Sequence, residues 1–528
     1  MRWPVRFLLT FAGVASLFAA DADYDLIIAG GQVFDGTGRA AFRADVAVKA
    51  GSIVRVGDLA DATALRRIEA RSLAVAPGFI DLHAHIESIR EMPAAESALR
   101  QGVTLALGGP DGGGPWPFAE YLATVEKLPL GLNVAYLAGH NSIRRAVLKL
   151  VDRAPTAAEL GQMEKMVEQS MQAGAFGLST GLKYLPGTFS KIDEIVALSR
   201  VAARHGGIYT SHLREEGVGL LPAVEEAIEI GRQAGLPVVL THHKVIGQPS
   251  WGASVKTLAL VDAARARGQD VMIDQYPYTA SYTGISVIIP SWALAGGATE
   301  FKARTADPAT RARLKADIKE AILTDRGAGD ISRIQFSRVT WRPALEGRTL
   351  RDWCVERGLA PTPDNGAELV IEAELAGGAG CIFHAMDDAD VERIMRHPQT
   401  MVASDGRLSR PGDAMPHPRA YGTFPRVLGH YVRDKKVLPL ETAVHKMTQL
   451  PALRLGLKDR GVIAAGANAD LVIFDPTTVR DRATFTAPHQ YPEGIPFVIV
   501  NGTVAVDGGE LTSARVGRVL RHTSTSAK

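Results

Sequence analysis

The sequence predicts an α/β protein: a (β/α)8 TIM-like barrel with a small β-sandwich domain built from both chain ends and an insertion at the barrel mouth. Three observations carry this. Short apolar strands alternate with helical stretches from residue 77 to residue 457, and β-rich, glycine-punctuated pieces occupy 23–76 and 458–528. The alternation breaks at about 285–350, where charged helical residues replace it. Repeated strand-helix units imply a parallel sheet, and their number suits a closed barrel.

The elements follow in order. Residues 1–22 place Arg2 and Arg6 before an apolar run from Phe7 to Ala20, ending Ala20-Asp21-Ala22. That is the pattern of a secretory signal peptide, and the run is shorter than the ~20 residues a membrane span needs. Export to a bacterial periplasm or the medium is therefore expected, with no membrane attachment after cleavage. DLIIAGGQVFDG, ADVAVKAGSIVRVGDL and RRIEARSLAVAPG are the strands of the first half-sandwich. In the barrel, GVTLALGG precedes AEYLATVEKL, LNVAYLAGH precedes AAELGQMEKMVEQSMQAG, and GAFGLST precedes IDEIVALSRVAARHG. GIYTSH, PVVLTHH and DVMIDQYPY continue the series, and ELVIEAEL/CIFHAM and TMVASDG are predicted as its late strands. Within the insertion, TRARLKADIKEAIL reads as a helix with a solvated face. RGVIAAGANADLVIFDP and PFVIVNGTVAVDGGEL return to the β-rich style and complete the sandwich.

Composition narrows the function classes. The chain has 528 residues, 46% hydrophobic and 22% charged, as globular proteins do. Lys+Arg 59 against Asp+Glu 57 gives a net charge of +2, with no bias toward nucleic acid or an anionic membrane. A small-molecule substrate is the expected partner, and the composition implies no particular oligomeric state. Cys354 and Cys381 are the sole cysteines, which excludes a disulfide scaffold. GGPDGGG lacks the spacing of a phosphate-binding loop.

The chemistry is expected at the strand ends, because the loops at the C-terminal face of such a barrel form its active site. His83 and His85 close FIDLHAH; on a strand, residues i and i+2 face one side, so both imidazoles can meet one divalent ion such as zinc. Asp111 follows GVTLALGG, His212 ends GIYTSH, His242 and His243 end PVVLTHH, and Asp405 ends TMVASDG. One His-x-His is a weak signal, but five strands each ending in His or Asp are not. Asp405 has the place of a general base that takes a proton from an activated water and passes it to a leaving amine.

These same stretches carry a resemblance. FIDLHAH, His212, His242, Ser404-Asp405-Gly406 and RGVIAAGANADLVIFDP resemble the amidohydrolase superfamily. GAFGLSTGLKYLPG, YTSHLREE, THHKVIGQPSWG, DQYPYTA and HPRAYGTFPRVLG are similar to the D-aminoacylase (N-acyl-D-amino-acid deacylase) family. The resemblance implies His83, His85, Asp111, His212, His242 and Asp405 as metal residues, Asp405 also as the catalytic carboxylate, and His243 turned away. It implies zinc, with one ion tightly bound and a second held weakly. Asp111 stands where the family carries a cysteine, and a carboxylate is a harder bridge than a thiolate; Lys183 is the other candidate bridge. The implied reaction is hydrolysis of the linear amide of an N-acyl-D-amino acid by metal-activated water. For binding the substrate carboxylate, Arg214, Lys244 and Arg419 are candidate anchors, and Tyr276 and Tyr278 candidate oxyanion donors. Two rivals remain: a cyclic-amide hydrolase of the hydantoinase or dihydroorotase type, and an inactive barrel acting as a binding module.

Overall fold

The structure is a computed structural model describing residues 22–523. The predicted signal peptide lies outside the described residues but for Ala22. Eight short strands form the barrel: β1 (Phe79–Asp81), β2 (Val103–Gly108), β3 (Asn133–Tyr136), β4 (Gly177–Gly181), β5 (Ile208–His212), β6 (Val238–Leu240), β7 (Val271–Gln275) and β8 (Thr400–Val402). Neighbouring strands pair in parallel throughout, β3 reaching β4 through its continuation Ala138–Gly139. The ring closes at its upper edge, where Gly406–Arg407 beyond β8 pair with Ala84–His85 beyond β1. Inside, Ile80, Leu105, Ala135, Ile208, Val239, Met272 and Met401 pack together. The interior is thus a filled core, and chemistry is left to the rim.

The helices between strands show why the sequence alternates. Ala157–Gln172 begins on a capping box in which the Thr156 side chain accepts from Glu159 N, and it buries Met163, Met166, Val167 and Met171. Leu220–Ala234 buries Leu220, Ala223, Val224, Ala227 and Ile228, and stops at Gly235 in the left-handed conformation.

Both chain ends meet in one nine-stranded sheet, where Leu471–Phe474 pairs antiparallel with Ala74–Pro77. The expected sandwich is therefore built on a shared sheet, whose own side chains Ile28, Val46 and Ile473 pack together in one apolar cluster.

The insertion is larger than the predicted 285–350. It starts at Ser281 and runs to Phe383, with a three-stranded antiparallel sheet and a core of its own. CIF belongs to that sheet (Gly380–Phe383) rather than to the barrel. ELVIEAEL is not a strand at all but part of the helix Pro363–Leu375. Pro363 in its first turn, a Thr362 cap on Asn365 N and a run of strong helix formers outweigh the alternation that suggests a strand. Pro308–Thr324 is the predicted solvated helix, burying only Leu314, Ile318 and Ile322. Cys354 and Cys381 are buried and unbridged in this subdomain. Among the described residues, no helix is long and apolar enough to cross a membrane.

Candidate metal centre

Side chains from opposite sides of the barrel converge at its rim. His83, His85, Asp111 and Asp405 place donor atoms within 4.8 Å of one another, and Asp111, His212 and His242 do the same. Asp111 is common to both groups. His83 Nε2 lies 3.5 Å from Asp111 Oδ1 and 3.6 Å from Asp405 Oδ1. His85 Nε2 lies 3.2 Å from Asp405 Oδ1 and 3.6 Å from Asp111 Oδ2. On the other side, His242 Nε2 is 3.4 Å from Asp111 Oδ1 and His212 Nδ1 is 3.8 Å from Asp111 Oδ2. Two ligands bound at about 2.0–2.1 Å in tetrahedral geometry stand about 3.3 Å apart, so these gaps suit shared ions.

The polar accounting agrees. His83 Nε2 and Asp111 Oδ1, 3.5 Å apart, are both buried without a hydrogen-bond partner. Each such atom costs about 1–3 kcal/mol, a cost that a cation held between them removes. The donor set of imidazoles and carboxylates suits a divalent transition metal. Meanwhile His212 Nδ1 and His242 Nε2 approach to 2.6 Å, one imidazole donating to the other.

Backbone conformation serves the same convergence. Asp111, His242 and Asp405 all adopt positive φ, at 52°, 36° and 48°, which costs a non-glycine residue roughly 1–2 kcal/mol. Such strain clusters where geometry matters more than stability. Gly181 lets the Asp111 loop approach, because a Cβ there would sit 2.3 Å from Asp111 O.

Charge is tightly managed around the donors. Burial alone would raise Asp405, but the Arg419 guanidinium and His85 hold it far below the usual carboxylate range. Arg419 Nη1 sits 2.8 Å from Asp405 Oδ2, leaving Oδ1 facing His83 and His85. Asp111 is likewise held down against burial by His83 and His242. Glu87, two residues past His85, accepts from His85 Nδ1 at 2.8 Å and fixes that ring. His243 faces outward as expected, with Nε2 2.8 Å from Thr257 Oγ1.

A sequence model of the Amidohydrolase family matches residues 336–506. The D-aminoacylase of Alcaligenes xylosoxydans xylosoxydans is 39% identical over 531 residues, covering 95% of this chain and 98% of that one. This chain belongs to the D-aminoacylase family. A crystal structure of N-acyl-D-glutamate deacylase from Bordetella bronchiseptica, complexed with zinc and a phosphonate mimic of the tetrahedral intermediate, superposes with a TM-score of 0.81. Identity there is 36%, over 94% of this chain and 99% of that one. A D-aminoacylase structure concerned with a binuclear metal centre superposes at 0.80, again at 36% identity, over 94% of this chain and 100% of that one. A D-hydantoinase, at 15% identity and a TM-score of 0.57, shares the fold alone.

Within the D-aminoacylase family framework, several expected anchors prove to be committed elsewhere. Arg214 makes paired contacts with Glu226, its Nε and Nη2 both 2.9 Å from carboxylate oxygens, and donates to Thr188 O and Ser190 O. It is a structural tie, not a carboxylate anchor. Arg419 is taken by Asp405. Tyr276 is buried under the Lys244 and Arg419 cations, with its hydroxyl 3.7 Å from Met386 Sδ. Tyr278 packs edge-on against His417 and Phe485. Neither tyrosine lines the cavity; both are buried. Lys183 Nζ lies 2.9 Å from Glu215 and 3.5 Å from Asp325, outside the donor cluster, which leaves Asp111 as the group that spans both halves.

Lys244 does line the cavity, a space of about 590 Å³ over the donors. It donates to Glu216 Oε1 at 2.6 Å and lies 2.5 Å from His242 Nδ1, and burial lowers its pKa against the pull of Glu216. Glu216 also accepts from Arg326 Nη2 at 2.6 Å and approaches His212 Nε2 to 3.6 Å. Sequence reasoning missed Glu216, Arg326, Asp274 and Tyr184. Asp274, which accepts from His242 N at 2.6 Å, is a carboxylate near the end of a barrel strand and carried a usable signal. Glu216, four residues after His212, carried a weaker one. Arg326 comes from the insertion and carried none. Tyr184, whose ring lies tilted against that of His212 with centroids 4.4 Å apart, lay within a quoted motif.

Proposed function

We propose that this protein is a metal-dependent deacylase that hydrolyses the amide bond of N-acyl-D-amino acids. The observation that carries the reading is the double donor cluster joined by Asp111, with buried, unpartnered nitrogen and oxygen atoms facing one another. His83, His85, Asp111 and Asp405 would hold one ion, and Asp111, His212 and His242 a second, weaker one. A bound divalent ion supplies Lewis acidity, lowering the pKa of water and polarising a carbonyl.

The chain's own groups do the rest. Asp405, ionised and held through Oδ2 by Arg419, presents Oδ1 to the donor cluster, where it would meet the ion and accept a proton from the attacking water. It then returns that proton to the departing nitrogen, since the amine is a poor leaving group until protonated. Lys244 stands on the cavity wall with its ammonium shared between Glu216 and His242, and residues 281–286 of the insertion line the same cavity. Zinc is the proposed metal, supported by the imidazole-rich donors; the D preference rests on family membership. Export is proposed from residues 1–22 alone.

The test is amine release from a panel of N-acetyl-D-amino acids, their L enantiomers and a hydantoin, by zinc-reconstituted enzyme. D-selective hydrolysis of the linear amides is expected. Turnover confined to the ring substrate would replace this reading with the cyclic-amide one, and no turnover with metal bound would favour a binding module.

A further inference from the structure

A metal-binding imidazole has two nitrogens, and the one turned away from the ion needs an acceptor of its own. In the Asp111–His212–His242 group the nitrogens toward Asp111 are His212 Nδ1, at 3.8 Å, and His242 Nε2, at 3.4 Å. The opposite nitrogens face a single carboxylate. Glu216 Oε1 lies 3.3 Å from His242 Nδ1, and Glu216 Oε2 lies 3.6 Å from His212 Nε2. An ion taken on the Asp111 side leaves protons on both outer nitrogens, and Glu216 stands where each would point. Lys244 Nζ, 2.5 Å from His242 Nδ1, cannot accept such a proton; its contact with Glu216 Oε1 at 2.6 Å is the one that an ion on Nε2 leaves to it.

Glu216 is held in turn from the insertion. Arg326 Nη2 donates to Glu216 Oε2 at 2.6 Å and Arg326 Nη1 to Ser281 Oγ at 2.9 Å, with both charged partners buried. The corner carrying Arg326 follows the helix Pro308–Thr324 and is seated on three successive barrel loops. Beyond β4, Lys183 Nζ lies 3.5 Å from Asp325 Oδ2. Beyond β5, Glu216 takes Arg326. Beyond β6, Gly247 adopts a φ of 85°, and a Cβ there would stand 2.3 Å from Thr324 O. The seat of the insertion and the outer contacts of two donors are therefore one network.

We propose that Arg326 is a positioning residue for the metal centre. By holding Glu216 against the outer nitrogens of His212 and His242, it couples the seating of the insertion to the affinity of their group for its ion. Coupling of this kind is reciprocal, so the ion steadies the corner as the corner steadies the ligands. This rests on the metal-dependent reading above, and it concerns metal affinity rather than substrate.

The experiment measures both zinc affinities by competition with a chromophoric chelator, with metal per chain by mass spectrometry, in the wild type, Arg326→Ala, Arg326→Lys and Arg304→Ala. Arg304 donates to Ala293 O and Ala295 O within the insertion, so its loss loosens the insertion without touching Glu216. In Arg326→Ala one of the two affinities should fall by roughly tenfold, and in Arg304→Ala both should stay within about twofold of the wild type. Arg326 lines the metal cavity, so the space it vacates is open to solutes: millimolar guanidinium chloride should restore the lost affinity in Arg326→Ala and leave the wild type unchanged. Arg326→Lys, which keeps the charge but not the fork, should fall between the two. Hydrogen exchange at 324–329 should slow on zinc binding in the wild type and not in Arg326→Ala. Unchanged affinities in Arg326→Ala overturn the inference while leaving the metal centre standing. A loss that Arg304→Ala reproduces, or that guanidinium does not restore, reports general loosening and overturns it as well. A wild type that holds no divalent ion removes the metal-dependent reading itself.

Discussion

Replacing Asp111 by alanine removes the one side chain that serves both donor groups. The first group falls from four donors to three, the second from three to two. A lost charged contact corresponds to about 1.5–3 kcal/mol, or roughly ten- to a hundredfold in affinity. Two protein donors are fewer than the three that catalytic zinc sites keep, so the second ion is lost outright while the first is weakened. Metal per chain, measured by mass spectrometry after dialysis against buffered zinc, should show a tight and a weak ion in the wild type. Asp111→Ala should show a single weakened ion, and Lys183→Ala should match the wild type. The metal-free protein offers an independent check. Burial and Lys244 both depress the His242 imidazole, yet Asp111 and Glu216 outweigh them and lift it to about 9; in Asp111→Ala its NMR titration should move down. Loss of an ion in Lys183→Ala, with both retained in Asp111→Ala, would refute the assignment of the bridge.

Three further outcomes follow from the geometry. Arg214→Ala should lower stability by about 1–2 kcal/mol through its lost tie to Glu226, with KM unchanged; a tenfold rise in KM at unchanged stability would restore it as an anchor. Glu216→Gln leaves Lys244 and Arg326 buried beside a neutral amide, and should cost about 3–5 kcal/mol in denaturant unfolding; a loss below about 1 kcal/mol would contradict the charge network. Burial lowers the Lys446 amine from 10.5 to about 7, so its contribution is present above pH 10.5 and is lost as pH falls toward 7. Melting curves of the wild type should therefore drop between pH 10 and 7 more steeply than those of Lys446→Met, and parallel curves would dismiss it.

The donors were legible because strand geometry fixes where a strand-end side chain points: His83, His85, His212, His242 and Asp405 each follow or end an apolar run. Partners were not legible. Arg214 lies two residues from His212, but Glu226, 12 residues on in the next helix, takes it. Arg419 was recognised as important but not as the partner of Asp405, since only folding brings two segments of that loop together. In ELVIEAEL the alternation of apolar and acidic residues fits a strand and an amphipathic helix alike, and the Thr362 cap upstream decides between them. Arg326 sits in an insertion with no periodic relation to the barrel, so only the fold carries it to Glu216.

The seam between β1 and β8 is closed by the donor segments themselves. Asp405 N donates to His83 O at 2.8 Å, and Ser404 bonds Asp81 across 323 residues of chain. An ion gripping His83, His85 and Asp405 is therefore a clasp across the joint, and its binding energy belongs to barrel closure as much as to chemistry. At free ion a hundred times above Kd, that amounts to about 2.7 kcal/mol. The first ligands emerge early in synthesis and must wait for the last strand, so metal capture would report the moment the ring is complete.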